Sequence, residues 1–253
     1  MPSILIINPN TSASVTALLR EHALAAAPAG GTVRAVTARF GARYISSELS
    51  AAVAAHAVLD AYAHDVAAHG EPGAVLIGCF GDPGLLALRE LAAVPVHGLA
   101  EASMAAAGST GRYAIVTGGV HWPPMLRRLA WSLDLLAPLA GIVTVERSGA
   151  ALAADPTAAV ALLGQACHQA IAQHQPASLL LGGAALAGMA AALAPSLPIP
   201  LLDSVASGVR AAWQSALASD GRACGPPGPA SVWSGLPEPL AALLGSAARA
   251  GRG

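Results

Sequence analysis

Short, continuously apolar runs alternate with longer alanine-rich stretches from the start of the chain to about residue 218. Apolar runs of this length, bounded by turn residues, predict strands covered on both faces, and the longer stretches between them predict helices. Ile4–Ile7 is the first strand, stopped by Asn8-Pro9-Asn10, with Thr11 or Ser12 placed to cap a helix running to about Ala27. Thr32–Val36, Ala74–Ile77 and Val94–Val96 follow as strands, with helices over Leu49–His69, over Pro83–Leu91 and from about Glu101. The order then begins again. Strands are predicted at Tyr113–Val116, Ile142–Val145, Leu179–Leu181 and Ile199–Leu202, with helices over Pro124–Leu133 and Ala158–His174, from Ala184, and from Asp203 to about Ala218. Such alternation is the pattern of βαβ units and a parallel sheet. The Gly/Pro-rich tail from Asp220 reads as loop, with one short helix near Pro239–Ala248.

The recurrence has a measurable period. Ile6-Ile7-Asn8 and Ile115-Val116-Thr117 lie 109 residues apart, Gly78-Cys79 and Gly182-Gly183 lie 104 apart, and Val94-Pro95-Val96 and Ile199-Pro200-Leu201 lie 105 apart. Offsets this similar predict two lobes built alike. The expected fold is therefore α/β, with two similar lobes of parallel-type sheets flanked by helices and related by a pseudo-twofold. Residues 1–98 form the first lobe and 99–202 the second. Open α/β sheets bind ligands beyond the carboxyl ends of their strands, which makes the cleft between the lobes the expected site.

Composition narrows the function. The chain has 253 residues, 55% of them hydrophobic and 11% charged, with a formal net charge of −1. That balance argues against a nucleic-acid partner, which needs clustered positive charge. All 13 basic residues are arginines, which excludes a lysine Schiff base and the lysine of a phosphate-binding loop. The uncharged stretch Ala177–Leu202 is broken by Pro195, Pro198 and Pro200, so no membrane span is expected. Cys79, Cys167 and Cys224 are odd in number and widely spaced, which suits neither a disulfide framework nor a zinc motif and points to the cytoplasm. Met1–Asn10 has no basic leader region.

The candidate chemistry collects at strand ends. Cys79 follows a strand and precedes Phe80-Gly81-Asp82-Pro83. There it is either an inert buried thiol or a nucleophile or base whose pKa the turn's N–H groups lower. Asn8, Asn10 and Thr11 have the donors to hold a carboxylate or amide, and the same residue types also build an Asx turn and a helix cap. Thr117-Gly118-Gly119 occupies the corresponding place in the second half. Backbone N–H groups near Phe80-Gly81 and Gly118-Gly119 are candidates to meet charge developing on a carbonyl oxygen. His97 and His121 are the best placed histidines, and neither makes a metal-ligand spacing, so no metal is expected.

Three segments carry a family resemblance: Ile7-Asn8-Pro9-Asn10-Thr11-Ser12, Gly78-Cys79-Phe80-Gly81-Asp82-Pro83-Gly84-Leu85, and Gly98-Leu99-Ala100-Glu101-Ala102. They resemble the hydantoin racemases of the aspartate/glutamate racemase superfamily, over nearly the whole chain to about Trp213. The resemblance implies a cofactor-independent enzyme acting on a small molecule of the hydantoin, amino-acid or malonate class, commonly as a homo-oligomer. It also implies that residues 203–219 return to the first lobe, leaving 220–253 as a tail outside the match. Two cysteines, one per lobe, flank the acidic carbon in that family. Cys79 matches the first. Asn8, Asn10, Thr11, Phe80, Gly81, Thr117, Gly118 and Gly119 match substrate-facing positions. The second-lobe motif has Leu181-Gly182 followed by Gly183 and Ala184 where the family has cysteine after Leu-Gly. The second thiol is thus absent, and neither Cys167, inside a predicted helix, nor Cys224, in the tail, replaces it. Three alternatives follow: racemisation with His121, His97 or water on the second face; one-proton chemistry of the arylmalonate-decarboxylase type; or an impaired, ligand-binding homologue.

Overall fold

Two four-stranded sheets are laid out in the same order. The first contains β1 (Ser3–Asn8), β2 (Thr32–Thr37), β3 (Ala74–Ile77) and β4 (Val96–Gly98), arranged β2-β1-β3-β4. The second contains β5 (Tyr113–Gly118), β6 (Leu139–Val145), β7 (Ser178–Gly182) and β8 (Leu201–Asp203), arranged β6-β5-β7-β8. Every neighbouring pair is parallel. The helices are α1 (Ala13–Ala25), α2 (Glu48–His69), α3 (Leu85–Leu91), α4 (Leu99–Gly108), α5 (Trp122–Ser132), α6 (Gly149–Ala153), α7 (Pro156–His174), α8 (Met189–Leu193) and α9 (Ser204–Ala218). The computed structural model describes residues 1–218 and 233–244. Of the expected tail helix, residues 240–244 are helical; its remainder, and Cys224, lie outside the described residues.

The sequence offsets reappear as strand register. Ile7 pairs with Ile77 in the first sheet, and Val116 pairs with Leu181 in the second. These are the positions that offsets of 109 and 104 connect. Val75 pairs with Val96, and Leu179 with Leu201, as offsets of 104 and 105 require. Side chains alternate across each strand. Ile4, Ile6, Leu76, Ile115 and Leu180 point into one apolar cluster shared by both sheets. Leu5, Ile7, Val75 and Ile77 point into a separate cluster of the first lobe, and Ala114, Val116, Leu179 and Leu181 into one of the second.

Several elements differ from expectation, and proline, left-handed turn residues and a borrowed carboxylate account for most of the differences. The predicted strands Val94–Val96 and Ile199–Leu202 form their ladders later, at Val96–Gly98 and Leu201–Asp203. Pro95 and Pro200 lack the N–H that a ladder needs, and only their carbonyls join, accepting from Val75 and Leu179. Helix α3 begins at Leu85 and not at Pro83, because Asp82 and Gly84 take left-handed conformations. The single helix expected from Ala184 is a short 3-10 turn over Ala184–Leu186, then α8, then another 3-10 turn over Ala194–Ser196. Helix α6 had no sequence counterpart. At the N-terminus of α1, Ser12 holds the cap position without a side-chain cap bond. Instead Asn10 Oδ1 accepts the Ser12 N–H at 2.8 Å.

The borrowed carboxylate is Asp82. Its Oδ1 accepts from Ala100 N–H at 2.9 Å and its Oδ2 from Glu101 N–H at 2.7 Å, so it caps α4. In the second lobe the positions 105 residues on are Val205 and Ala206, at the start of α9, and Asp203 Oδ1 accepts from both. The two lobes therefore cap equivalent helices with carboxylates from different places. The counterpart of Asp203 is Gly98, where a Cβ would strike the Asp82 carboxyl group. Helix α9 then packs on α4, α1 and the first sheet.

Asp203 also accepts from Gly188 N–H at 2.9 Å. Asp203→Ala is expected to lower the unfolding free energy by about 1–2 kcal/mol, the usual cost of a lost helix cap, seen in urea as an earlier midpoint at unchanged slope. A midpoint equal to that of the parent chain would show that the cap contributes nothing.

Candidate active site

The carboxyl ends of six strands converge on one cavity. Asn10 follows β1, Arg43-Tyr44-Ile45 follow β2, and Gly78-Cys79-Phe80 follow β3; Thr117-Gly118, Gly149 and Gly182–Leu186 are supplied by β5, β6 and β7. The cavity measures about 70 Å³. That is several times what one water needs, so it suits a small ring compound and not a nucleotide. A wider depression of about 530 Å³ between α1 and α9 is lined largely by apolar side chains and brings no thiol or carboxylate together.

Cys79 stands at the first-lobe side. Gly78 N–H donates to Ile7 O and Cys79 N–H to Ile77 O, which turns the chain sharply off β3. Cys79 is 7% exposed. The expectation that the turn lowers its pKa is reversed: burial pushes the thiol well above its ordinary range, and the Asp82 carboxylate adds to the shift. Helix α3 is short and starts only at Leu85, and the first-turn N–H groups of α4 are taken up by Asp82. Burial also raises Asp82, to about 7, against the lowering pull of the two N–H groups it accepts. The resting group is therefore a neutral thiol. Among the described residues, the N–H groups of Phe80 and Gly81 make no hydrogen bond, and neither do those of Ala184 and Ala185 across the cavity.

Gly183 occupies the position 104 residues after Cys79, and its backbone differs in kind. Its φ is 145°, a conformation essentially reserved for glycine, whereas Cys79 has an ordinary negative φ. A Cβ built there would lie 3.2 and 3.3 Å from Leu186 Cγ and Cδ1. The Gly183 face is formed by Ala184, Ala185 and Leu186, and among the described residues it holds no acid or base. Cys167 lies buried in α7 within the outer cluster of the second lobe, where burial raises its pKa to about 11.

The remaining expected positions divide. Asn10, Phe80, Thr117, Gly118 and Ala184 line the cavity together with Cys79 and Gly183. Asn8 and Thr11 stay outside its lining. Asn8 is fully buried, its Nδ2 lying 3.0 Å from Asn10 Oδ1, Ser12 O and Thr16 Oγ1, while Thr11 N–H donates to Ala42 O. This is the Asx-turn reading of that segment, and it fixes Asn10 with Oδ1 inward and Nδ2 without a protein partner. Gly81 lies under the Trp122 ring, where a Cβ would meet Trp122 Cζ3 at 2.5 Å. Gly119 N–H is spent on Val145 O, so it is not available to a ligand. Thr117 Oγ1 donates to Gly182 O at 2.7 Å, leaving only its acceptor capacity. Neither histidine reaches the cavity: His97 bonds Ser215 Oγ at 2.8 Å with its pKa lowered by burial, and His121 is exposed ahead of α5. Among the described residues, no group of three His, Cys, Asp or Glu is placed to hold a metal, and no helix is long and apolar enough to cross a membrane.

Sequence reasoning missed Arg43, Tyr44 and Trp122. Tyr44 Oη lies 3.3 Å from Gly118 O and 3.3 Å from Trp122 Nε1, donating to the first and accepting from the second. It ties the β2–α2 loop of the first lobe to the second lobe. Phe80 makes a similar crossing, its ring pressed on Gly182, where any Cβ would collide with it. The one available signal was position: Arg43 and Tyr44 lie beyond the carboxyl end of a strand next to the chain's first one.

A cleft of this construction, between two like lobes and with a thiol at one strand end, is that of a racemase-like enzyme. The family model described as Asp/Glu/Hydantoin racemase matches residues 4–212, and the chain belongs to that family. A hydantoin racemase from Pseudomonas sp. (strain NS671) is 31% identical over 210 residues, covering 82% of this chain and 83% of the relative. The structure of an allantoin racemase from Klebsiella pneumoniae superposes with a TM-score of 0.85 at 30% identity, covering 96% of this chain and 99% of that one. Arylmalonate decarboxylase, at 18% identity and a TM-score of 0.61 over 89% of this chain and 96% of that one, shares the fold.

Two outcomes follow from the site. Because the thiolate is the reactive form, alkylation of Cys79 by iodoacetamide should accelerate about tenfold per pH unit, still without a plateau at pH 9. A plateau below about pH 8 would contradict the raised pKa. Gly183→Ala and Gly183→Cys should each destabilise the chain by about 1–3 kcal/mol, since both put a side chain on a glycine-only backbone. Urea midpoints at the parent value would show that the backbone relaxes freely.

Proposed function

We propose that the chain is a cofactor-independent carbon-acid enzyme in which Cys79 moves a proton to or from a carbon α to a carbonyl, with five-substituted hydantoins as the substrate class. The observation that supports this most is the placement of one thiol in a small cavity together with four unbonded backbone N–H groups, at Phe80, Gly81, Ala184 and Ala185. Removing the proton sends charge onto a carbonyl oxygen, and preset N–H donors lower the energy of that enolate. Proton return is the step for which the resting thiol is set, because burial keeps the proton on sulfur. Abstraction is the reverse step and needs the thiolate. The side chains of the described residues on the Gly183 face are aliphatic, so solvent water is the proton partner there.

A second reading is favoured by the same pairing of a proton-bearing thiol with a glycine face. A substituted malonate would lose carbon dioxide over Gly183, the electron pair of the breaking C–C bond remaining as an enolate. Cys79 would then deliver its proton from the opposite face and fix the configuration of the product.

The test is a single-enantiomer five-substituted hydantoin in D₂O, with deuterium uptake and optical purity followed against a protein-free control. Uptake faster than the control with loss of optical purity is expected for racemisation. Cys79→Ala should remove at least about a hundredfold of that rate, the lower range for general acid–base catalysis. Uptake with retained configuration would move the assignment to one-face chemistry and to malonates. Control-level uptake in the parent chain would overturn the hydantoin assignment.

A further inference from the structure

The cavity has an electrostatic bias that bears on which substrates it accepts, and the inference rests on the proton-transfer reading above. Among the described residues that line it, Arg43 is the only one with a formal charge, and none is a carboxylate. A free amino acid brings an ammonium group as well as a carboxylate, and that ammonium would be desolvated here without a counter-charge. Donors dominate instead: the Arg43 guanidinium, the Asn10 amide Nδ2 and the unbonded N–H groups.

Arg43 is also held in place without being neutralised. Ala42 O accepts the Thr11 N–H at 3.1 Å on one side of it. On the other side Tyr44 is tied to Gly118 and Trp122, and Ile45 is 3% exposed. Arg43 is thus an exposed residue between anchored neighbours. Arg34, Arg39, Arg89 and Arg128 form ion pairs with Asp65, Asp60, Glu101 and Glu48; among the described residues Arg43, like several other surface arginines, pairs with no carboxylate. The nearby acid in sequence, Glu48, is already held by Arg128. A planar guanidinium so presented is suited to a bidentate carboxylate.

We propose that Arg43 is a specificity-determining residue that reads a carboxylate on the substrate, so that the preferred substrates are ureide-type carbon acids with an anionic substituent and no ammonium group. The reacting carbon lies toward Cys79 and the anionic substituent toward the solvent-exposed Arg43.

The test compares hydantoin-5-acetate with its neutral isostere hydantoin-5-acetamide, by calorimetric titration of the full chain and by deuterium exchange on the same two compounds. The parent chain should bind the acetate at least about tenfold more tightly than the acetamide, a difference of about 1.4 kcal/mol. Raising the salt concentration should reduce that ratio. In Arg43→Gln the ratio should fall to within about twofold of one, and Arg43→Lys should restore part of it. Equal binding by the parent chain, or a preference that survives in Arg43→Gln, overturns the assignment of Arg43. Selective binding without exchange leaves the Arg43 assignment standing and overturns the hydantoin-exchange reading. Exchange of both compounds without preference does the opposite. Failure to bind either compound overturns both.

Discussion

Two carboxylates, one in the loop after β3 and one at the end of β8, cap the helices that connect the lobes. Asp82 and Asp203 each accept backbone N–H groups at the first turn of a helix, and those helices, α4 and α9, are the crossings between the lobes. α4 carries the chain from the first sheet to the second, and α9 returns it to pack on α4 and the first sheet. The capping sites are equivalent by register, but the acids that fill them are not. In the first lobe the acid comes from the loop after β3, which leaves glycine as the residue that fits at position 98. In the second it comes from β8 itself. The loop that holds Asp82 also carries Cys79, while the matching loop of the second lobe passes through Gly183 at φ 145°.

That asymmetry shapes the chemistry. The cavity has one side with a thiol, held protonated by burial and by its acidic neighbour, and another side of small aliphatic groups. Neither His97 nor His121 lies where it could act as a second base. Gly183 at φ 145° has a backbone that L side chains rarely adopt, so a cysteine at this position would require a different loop conformation.

Much of the fold could be read from the chain. Buried strands such as Ile4–Ile7 and Ala74–Ile77 are continuous apolar runs because both faces are covered, and the three offsets near 105 predicted paired registers that the sheets reproduce. Sequence reading placed strands β4 and β8 too early because apolar character extends through Pro95 and Pro200, whereas a ladder depends on N–H groups that proline lacks. The helix expected from Ala184 was broken because alanine content signals helix propensity but carries no trace of the turns at Gly183 and Gly188.

The site divides along the same line. Local sequence determined that a lone thiol follows β3, that Gly183 stands at the equivalent position, and that the chain has arginine but no lysine, since each is a matter of residue identity along one segment. Tertiary structure alone decided that Asp82 caps a helix 18 residues away, that the thiol is buried and protonated, and that Asn8 serves its turn. It also decided that Arg43 is the one formally charged residue among the described residues lining the cavity. Burial, desolvation and the meeting of loops from separate strands are sums over contacts distant in sequence, and no local pattern of residues encodes them.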